Sequence, residues 1–197
     1  MKRITLTTAL LLISAFVGVA SAQTVGGDGT LPIEQLNPAE LEQTLTLLSA
    51  YHEVPSRDEL EAVSPNARQI LESIATDTSV FRHHRTRAMA ALANWSDARV
   101  LAMYESWLDS ALASDIPAEF ESSHSAAILL AETFPSEAVQ PLSEMLENSD
   151  LQVRLTAIHV LGLIGSEDAL NVLQDALINE TNTVAIERMQ ANLAQLR

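Results

Sequence analysis

Cysteine is absent from all 197 residues. That excludes disulfides, thiolate metal ligands, thiol nucleophiles and lipid attachment at a cysteine. Lysine is almost as scarce: Lys2 is the single one, and every other basic residue is arginine. Aromatic residues make up 4%, and three of the six glycines fall in one stretch, QTVGGDGTLPIEQL at 23–36. Alternating β-branched runs and Asn-Gly hairpin signals are missing, so nothing speaks for a sheet. Enzyme signatures are missing too. The chain has no Gly-x-Ser-x-Gly, no phosphate loop and no His-Glu-x-x-His, and Ser123-His124 on a helix has no catalytic geometry. No catalytic residue, cofactor site or metal site is therefore assigned, and a non-enzyme is expected.

What is present is acid. Twenty-six Asp and Glu face 11 Lys and Arg, for a net charge of −15. Such a surface repels nucleic acid and anionic lipid, both of which need a basic face. The one long apolar run, residues 6–19, follows Lys2 and Arg3 and precedes the small-x-small sequence Ala20-Ser21-Ala22. This is the pattern of a cleavable secretory signal, so residues 1–22 are expected to be removed and the protein exported to periplasm or medium. The remaining chain carries nine arginines against the 26 acids, a charge of −17, and has no further membrane-spanning run. Residues 23–36 are expected to form a flexible leader before a domain at 37–197.

From Asn37 onward the sequence alternates helix starts with windows of apolar residues three or four apart. Asn37-Pro38-Ala39-Glu40 supplies a cap, a first-turn proline and a carboxylate; Ser56-Arg57-Asp58-Glu59 is a capping box. Further starts fall at Ser64, Ser79, Ser96, Pro117, Pro135, Ser149 and Ser166, and TNTVAIERMQANLAQLR reads as a closing helix using Val184, Met189, Leu193 and Leu196. The fold class is all-α.

The helices repeat. RLTAIHVLGLIGSEDALNVLQDAL at 154–177 lies without gaps over RTRAMAALANWSDARVLAMYESWL at 85–108, and SHSAAILLAETFPSEAVQPLSEML at 123–146 fits the same columns. Arg154 falls on Arg85, Ala157 on Ala126 and Ala88, and Leu161 on Leu130 and Leu92, while Ala93, Ala131 and Gly162 form a small-residue column. Each copy is a helix, a tight turn and a second helix; such pairs bury their apolar faces by stacking. Asp150 stands four residues before Arg154, a spacing that allows a pair on one helix face. The sequence DLQVRLTAIHVLGLIGSEDALNVLQDAL resembles a HEAT-like repeat of the short bacterial class, similar to those of phycobilisome lyases. The resemblance rests on Asp150, Val153, Arg154, Ala157, Leu161, Gly162, Ala169, Leu170 and Leu177. It departs at Ser123, where the second copy lacks the arginine. It covers about residues 79–197, and implies a right-handed α-solenoid of stacked antiparallel helix pairs that works as a scaffold.

One stretch stands out chemically. FRHHRTR at 81–87 gathers three arginines and two histidines. Adjacent histidines diverge by about 100° on a helix and chelate poorly, so a metal is not expected. Phe81, Ala88, Leu92 and Trp95 share the apolar face, with Arg85 beside it as the structural arginine of the repeat. Arg82 and Arg87 point away. Arg82 and Arg85, three apart, could grip a carboxylate or phosphate with their forks, or these arginines could neutralise acids such as Glu105 and Asp109. Trp107, at the edge of the Leu101, Tyr104 and Leu108 stripe, is either core or an anchor beside them. Arg82, Arg87 and Trp107 are thus the candidate partner-binding residues. Arg85, Ala88, Leu92, Asp150, Arg154, Ala157, Leu161 and Gly162 are the candidate structural ones. The expected function is an exported, non-catalytic protein-interaction scaffold. A self-associating envelope component is the alternative, and a lyase-like carrier of a small ligand the third reading.

Overall fold

The computed structural model describes residues 30–50, 53–113 and 117–195, with backbone alone at 117–121 and 195. The expected signal at 1–22, His52 and Leu196 lie outside the described residues. Among the described residues ten α-helices follow one another: α1 (Pro38–Leu48), α2 (Arg57–Val63), α3 (Ala67–Thr76), α4 (Arg82–Leu92) and α5 (Ala98–Leu112), then α6 (Pro117–Thr133), α7 (Pro135–Met145), α8 (Leu151–Ile164), α9 (Glu167–Asn179) and α10 (Thr183–Gln195). No strand occurs among the described residues, and no helix there is long and apolar enough to cross a membrane.

Capping chemistry sets the boundaries. Asn37 accepts from Ala39 N at 3.0 Å, and Ser56 and Glu59 form the reciprocal capping box. Asp97, Asp150 and Ser166 cap α5, α8 and α9 by accepting from first-turn N–H groups. These bonds satisfy donors that a helix start leaves unpaired. Gly165 ends α8 with φ at 60°, a left-handed cap that glycine adopts without steric cost.

The elements stack as an α-solenoid. α4, α6, α8 and α10 pack in succession, and α5, α7 and α9 flank them. α1 and α3 pack against α4, so the segment before residue 79 joins the stack. One continuous core results, and the repeat columns run through it. Ala88, Ala126 and Ala157 are fully buried, as are Leu92, Leu130 and Leu161. On the second helices the fully buried columns are Val100, Ala138 and Ala169, then Tyr104, Leu142 and Leu173. They stand beside the expected Leu101, Val139 and Leu170, which are only partly buried.

Four expectations need correction. The expected flexible leader at 23–36 does not extend over residues 30–36, and residues 23–29 lie outside the described residues. Thr30 is buried, Ile33–Gln35 forms a 3-10 turn, and Leu31 O accepts from Ser73 Oγ at 2.7 Å. Phe81 is not core: it is the residue before α4, and its ring is 72% exposed. Asp150 spends its carboxylate on the Gln152 N–H at 2.7 Å, while Arg154 turns instead to Glu180. In α10 the inward residues are Ala185 and Met189, whereas Val184 is 45% exposed.

The closing helix seats through Gly162. A Cβ built there would lie 2.5 Å from Asn192 Nδ2, and that amide donates to Ile158 O at 2.8 Å. The absent side chain lets α10 hydrogen-bond to the backbone of α8 at close approach.

Candidate functional site

A cavity of about 630 Å³ opens where α3, α4, α5 and α6 meet. Arg82 and Arg85 reach it from α4 and Arg99 from α5, with Met89, Met103 and Trp107 supplying apolar wall. Hydroxyls of Thr78, Thr86, Ser106 and Ser110 complete its polar side, and among the described residues no carboxylate lines it. In a chain of charge −15, three of the arginines thus gather around one cavity.

The three arginines differ in what they hold. Arg99 is clamped: its Nε and Nη2 each donate to Glu72 at 2.8 Å. Glu72, 4% exposed, also accepts from Arg68 Nε at 3.0 Å, and Arg68 donates through both terminal nitrogens to Asp97 at 2.6 and 3.0 Å. The hydrogen bonds from Arg68 hold the Asp97 carboxyl below its usual range, and those to Asp97 raise Arg68. This chain of charges ties α3 to the start of α5 and fixes one wall. Arg82, at the start of α4, is exposed at the rim. Arg85 is partly buried, and its Nε, shielded from solvent, meets no hydrogen-bond partner.

Of the three residues expected to meet a partner, the fold brings two to the cavity. Arg82 and Trp107 both line it, and Trp107 is only partly buried. Arg87 is committed elsewhere. It donates to Leu48 O at 3.3 Å, to Ala50 O at 2.9 Å and to Glu53 O, so it holds the link between α1 and α2. Its role here is to satisfy carbonyls of that link. Arg85 and Arg99 complete the site, which sequence spacing alone did not assemble. Arg85 lies three residues from Arg82 on one helix, but Arg99 arrives only through the packing of α5. Among the described residues no ion pair joins Arg85 or Arg87 to Glu105 or Asp109.

The histidines are dispersed. His84 Nε2 contacts Ser49 Oγ at 2.9 Å, and the His83 and His84 rings lie 5.9 Å apart, tilted by 59°. His124 and His159 from α6 and α8 stack with centroids 6.4 Å apart. Among the described residues no group of three or more metal-ligating side chains gathers.

Arg154, in the column of Arg85, shows what this position does when satisfied. Its Nε donates to Glu180 Oε2 at 2.8 Å and its Nη2 to Oε1 at 3.3 Å, while Nη1 reaches the carbonyls of Asn148 and Ser149. Glu180, with a side chain 7% exposed, also accepts from Thr181 N and Asn182 N. The hydrogen bond from Arg154, with help from those N–H groups, lowers the Glu180 carboxyl below its ordinary range.

Comparison with known proteins places this architecture. Residues 118–194 match the family of HEAT repeats. No curated protein matches the chain.

Proposed function

We propose that this chain, a HEAT-like repeat protein, is an exported, non-catalytic scaffold that binds another protein at the cavity between α4 and α5. HEAT repeats are generally protein-interaction scaffolds, and the repeats typically carry no catalysis. The observation that carries the reading is local: arginines and a partly buried tryptophan line a cavity with no carboxylate among its described residues, on an acidic chain. Trp and Arg anchor interfaces because each combines large contact area with directed polar contacts. Arg82 and Trp107 are the residues proposed to touch the partner. Arg87 drops out because its donors serve the α1–α2 link. Export rests on residues 1–22 alone.

Cross-linking and pull-down from the native envelope fraction test this. The proposal expects one protein recovered repeatedly by the wild type and lost with Arg82→Gln/Trp107→Ala, at an unchanged melting temperature. Recovery that ignores the double variant removes the cavity from the interface. An N-terminal residue other than Gln23 on the exported protein removes the cleavage reading.

Self-association is the second reading, favoured by Phe81 and Ile178, which are 72% and 77% exposed. Light scattering on a size-exclusion column decides it: a strict monomer at high concentration ends it.

A further inference from the structure

The fold contains the same cavity twice. The second, about 650 Å³, lies between α7, α8, α9 and α10, and seven of its twelve lining residues fall on lining positions of the first. The shift that carries Arg85 to Arg154 also carries Thr78 to Glu147, Met103 to Val172 and Ser106 to Asp175. It carries Trp107 to Ala176, and Ala111 to Glu180. All of these residues line their respective cavities.

The two copies differ most in charge. In the second, three carboxylates line the space, and that of Glu180 fills the fork of the arginine. In the first, all three positions are uncharged: Thr78, Ser106 and Ala111. The arginine is retained, and its shielded Nε has no partner. Burying a guanidinium without its carboxylate costs free energy that a carboxylate in the fork recovers. The walls change in the complementary direction: Val172 and Ala176 give way to the larger Met103 and Trp107.

We propose that the cavity around Arg85 is a carboxylate-binding site, in which an acid from outside the chain takes the place that Glu180 takes on Arg154. The ligand class is a carboxylate on a compact apolar body: the fork of Arg85 takes the charge, and Trp107 and Met103 take the body. Two sources share this chemistry, an acidic side chain of a partner protein and a free organic acid. The site does not depend on the partner reading above, because a free acid would occupy it equally.

The test is a titration of the full exported protein followed by Trp107 emission in a Trp95→Phe background. The probes are phenylpropanoate, its neutral amide, the capped dipeptide acetyl-Phe-Glu-amide, and inorganic phosphate. Phenylpropanoate is expected to saturate and the amide to bind at least about tenfold more weakly, the scale of one charge-assisted hydrogen bond. Arg85→Gln should lose binding by a similar factor. Ala111→Glu should do the same by supplying the missing carboxylate from within, which covers the case where Arg85→Gln folds poorly. Tighter binding of the dipeptide than of the free acid assigns the source to a protein side chain, and the reverse order assigns it to a free acid. Equal binding of acid and amide, full binding by Arg85→Gln, or binding of phosphate alone overturns the proposal. Loss of partner capture with phenylpropanoate binding intact would end the scaffold reading and leave this site standing.

Discussion

Arg154 and Arg85 occupy one repeat column yet should respond oppositely to the same substitution. Arg154→Gln removes both bonds to Glu180 and leaves that carboxylate, 7% exposed, with only the N–H groups of Thr181 and Asn182. A charge-assisted bond is worth about 1.5 to 3 kcal/mol, and orphaning a buried ion costs about 3 to 5. Arg154 itself is 16% exposed and its carboxylate partner keeps two donors, so a loss near the lower figure, about 3 kcal/mol, is expected. For a domain of this size that lowers the melting temperature by about 6 to 12 °C. Arg85→Gln orphans no carboxylate, since its Nε holds none. Its effect should stay within about 0.5 kcal/mol, or roughly 2 °C. Thermal unfolding followed by far-ultraviolet circular dichroism at pH 7 measures both. Equal losses, or a loss above about 2 kcal/mol for Arg85→Gln, would refute the inequivalence of the two sites.

Three further outcomes follow from other contacts. Gly162→Ala forces the Asn192 amide aside and breaks its bond to Ile158 O, so a loss of about 1 to 3 kcal/mol is expected; a double-mutant cycle with Asn192→Ala should show strong non-additivity, and simple additivity would contradict the contact. The Glu180 carboxyl is lowered from 4.5, so its contribution is complete above that value and is lost as pH falls through the lower folded pKa; the stability gap between wild type and Glu180→Gln should be full at neutral pH and close in acid, and a gap independent of pH would contradict it. Tyr104 is fully buried and donates to Met89 O at 2.8 Å, with burial pushing its hydroxyl up to about 12; Tyr104→Phe should cost about 1 to 2 kcal/mol in denaturant unfolding, and a neutral result would mean the bond is not made.

The repeat columns of the first helices were legible because 3.6-residue periodicity and stacking impose the same small and large residues at Ala88, Ala126, Ala157 and at Leu92, Leu130, Leu161. On the second helices the apolar signal was smeared over adjacent positions. Val100 and Leu101 are both hydrophobic, and only packing against α6 decides that Val100 points inward. Phe81 misled because its spacing fits the stripe, while its place before the first turn of α4 turns the ring outward. Arg154 misled for a different reason. Asp150 is four residues away, but the N-cap bond takes its carboxylate, and the true partner lies 26 residues on, across a helix pair. The convergence of Arg85 and Arg99 is tertiary and has no local signature. The exchange of Glu180 for Ala111 was nonetheless visible in the sequence, three columns beyond the aligned copies.

The most direct measurement of the central claim is the nitrogen-15 spectrum of the arginine Nε–H groups, assigned with Arg85→Gln and Arg154→Gln. The account predicts an Arg154 Nε–H protected from exchange and unaffected by phenylpropanoate, and an Arg85 Nε–H that shifts toward it as phenylpropanoate is added. An Arg85 Nε–H already in the position of Arg154 and unmoved by the acid would contradict it.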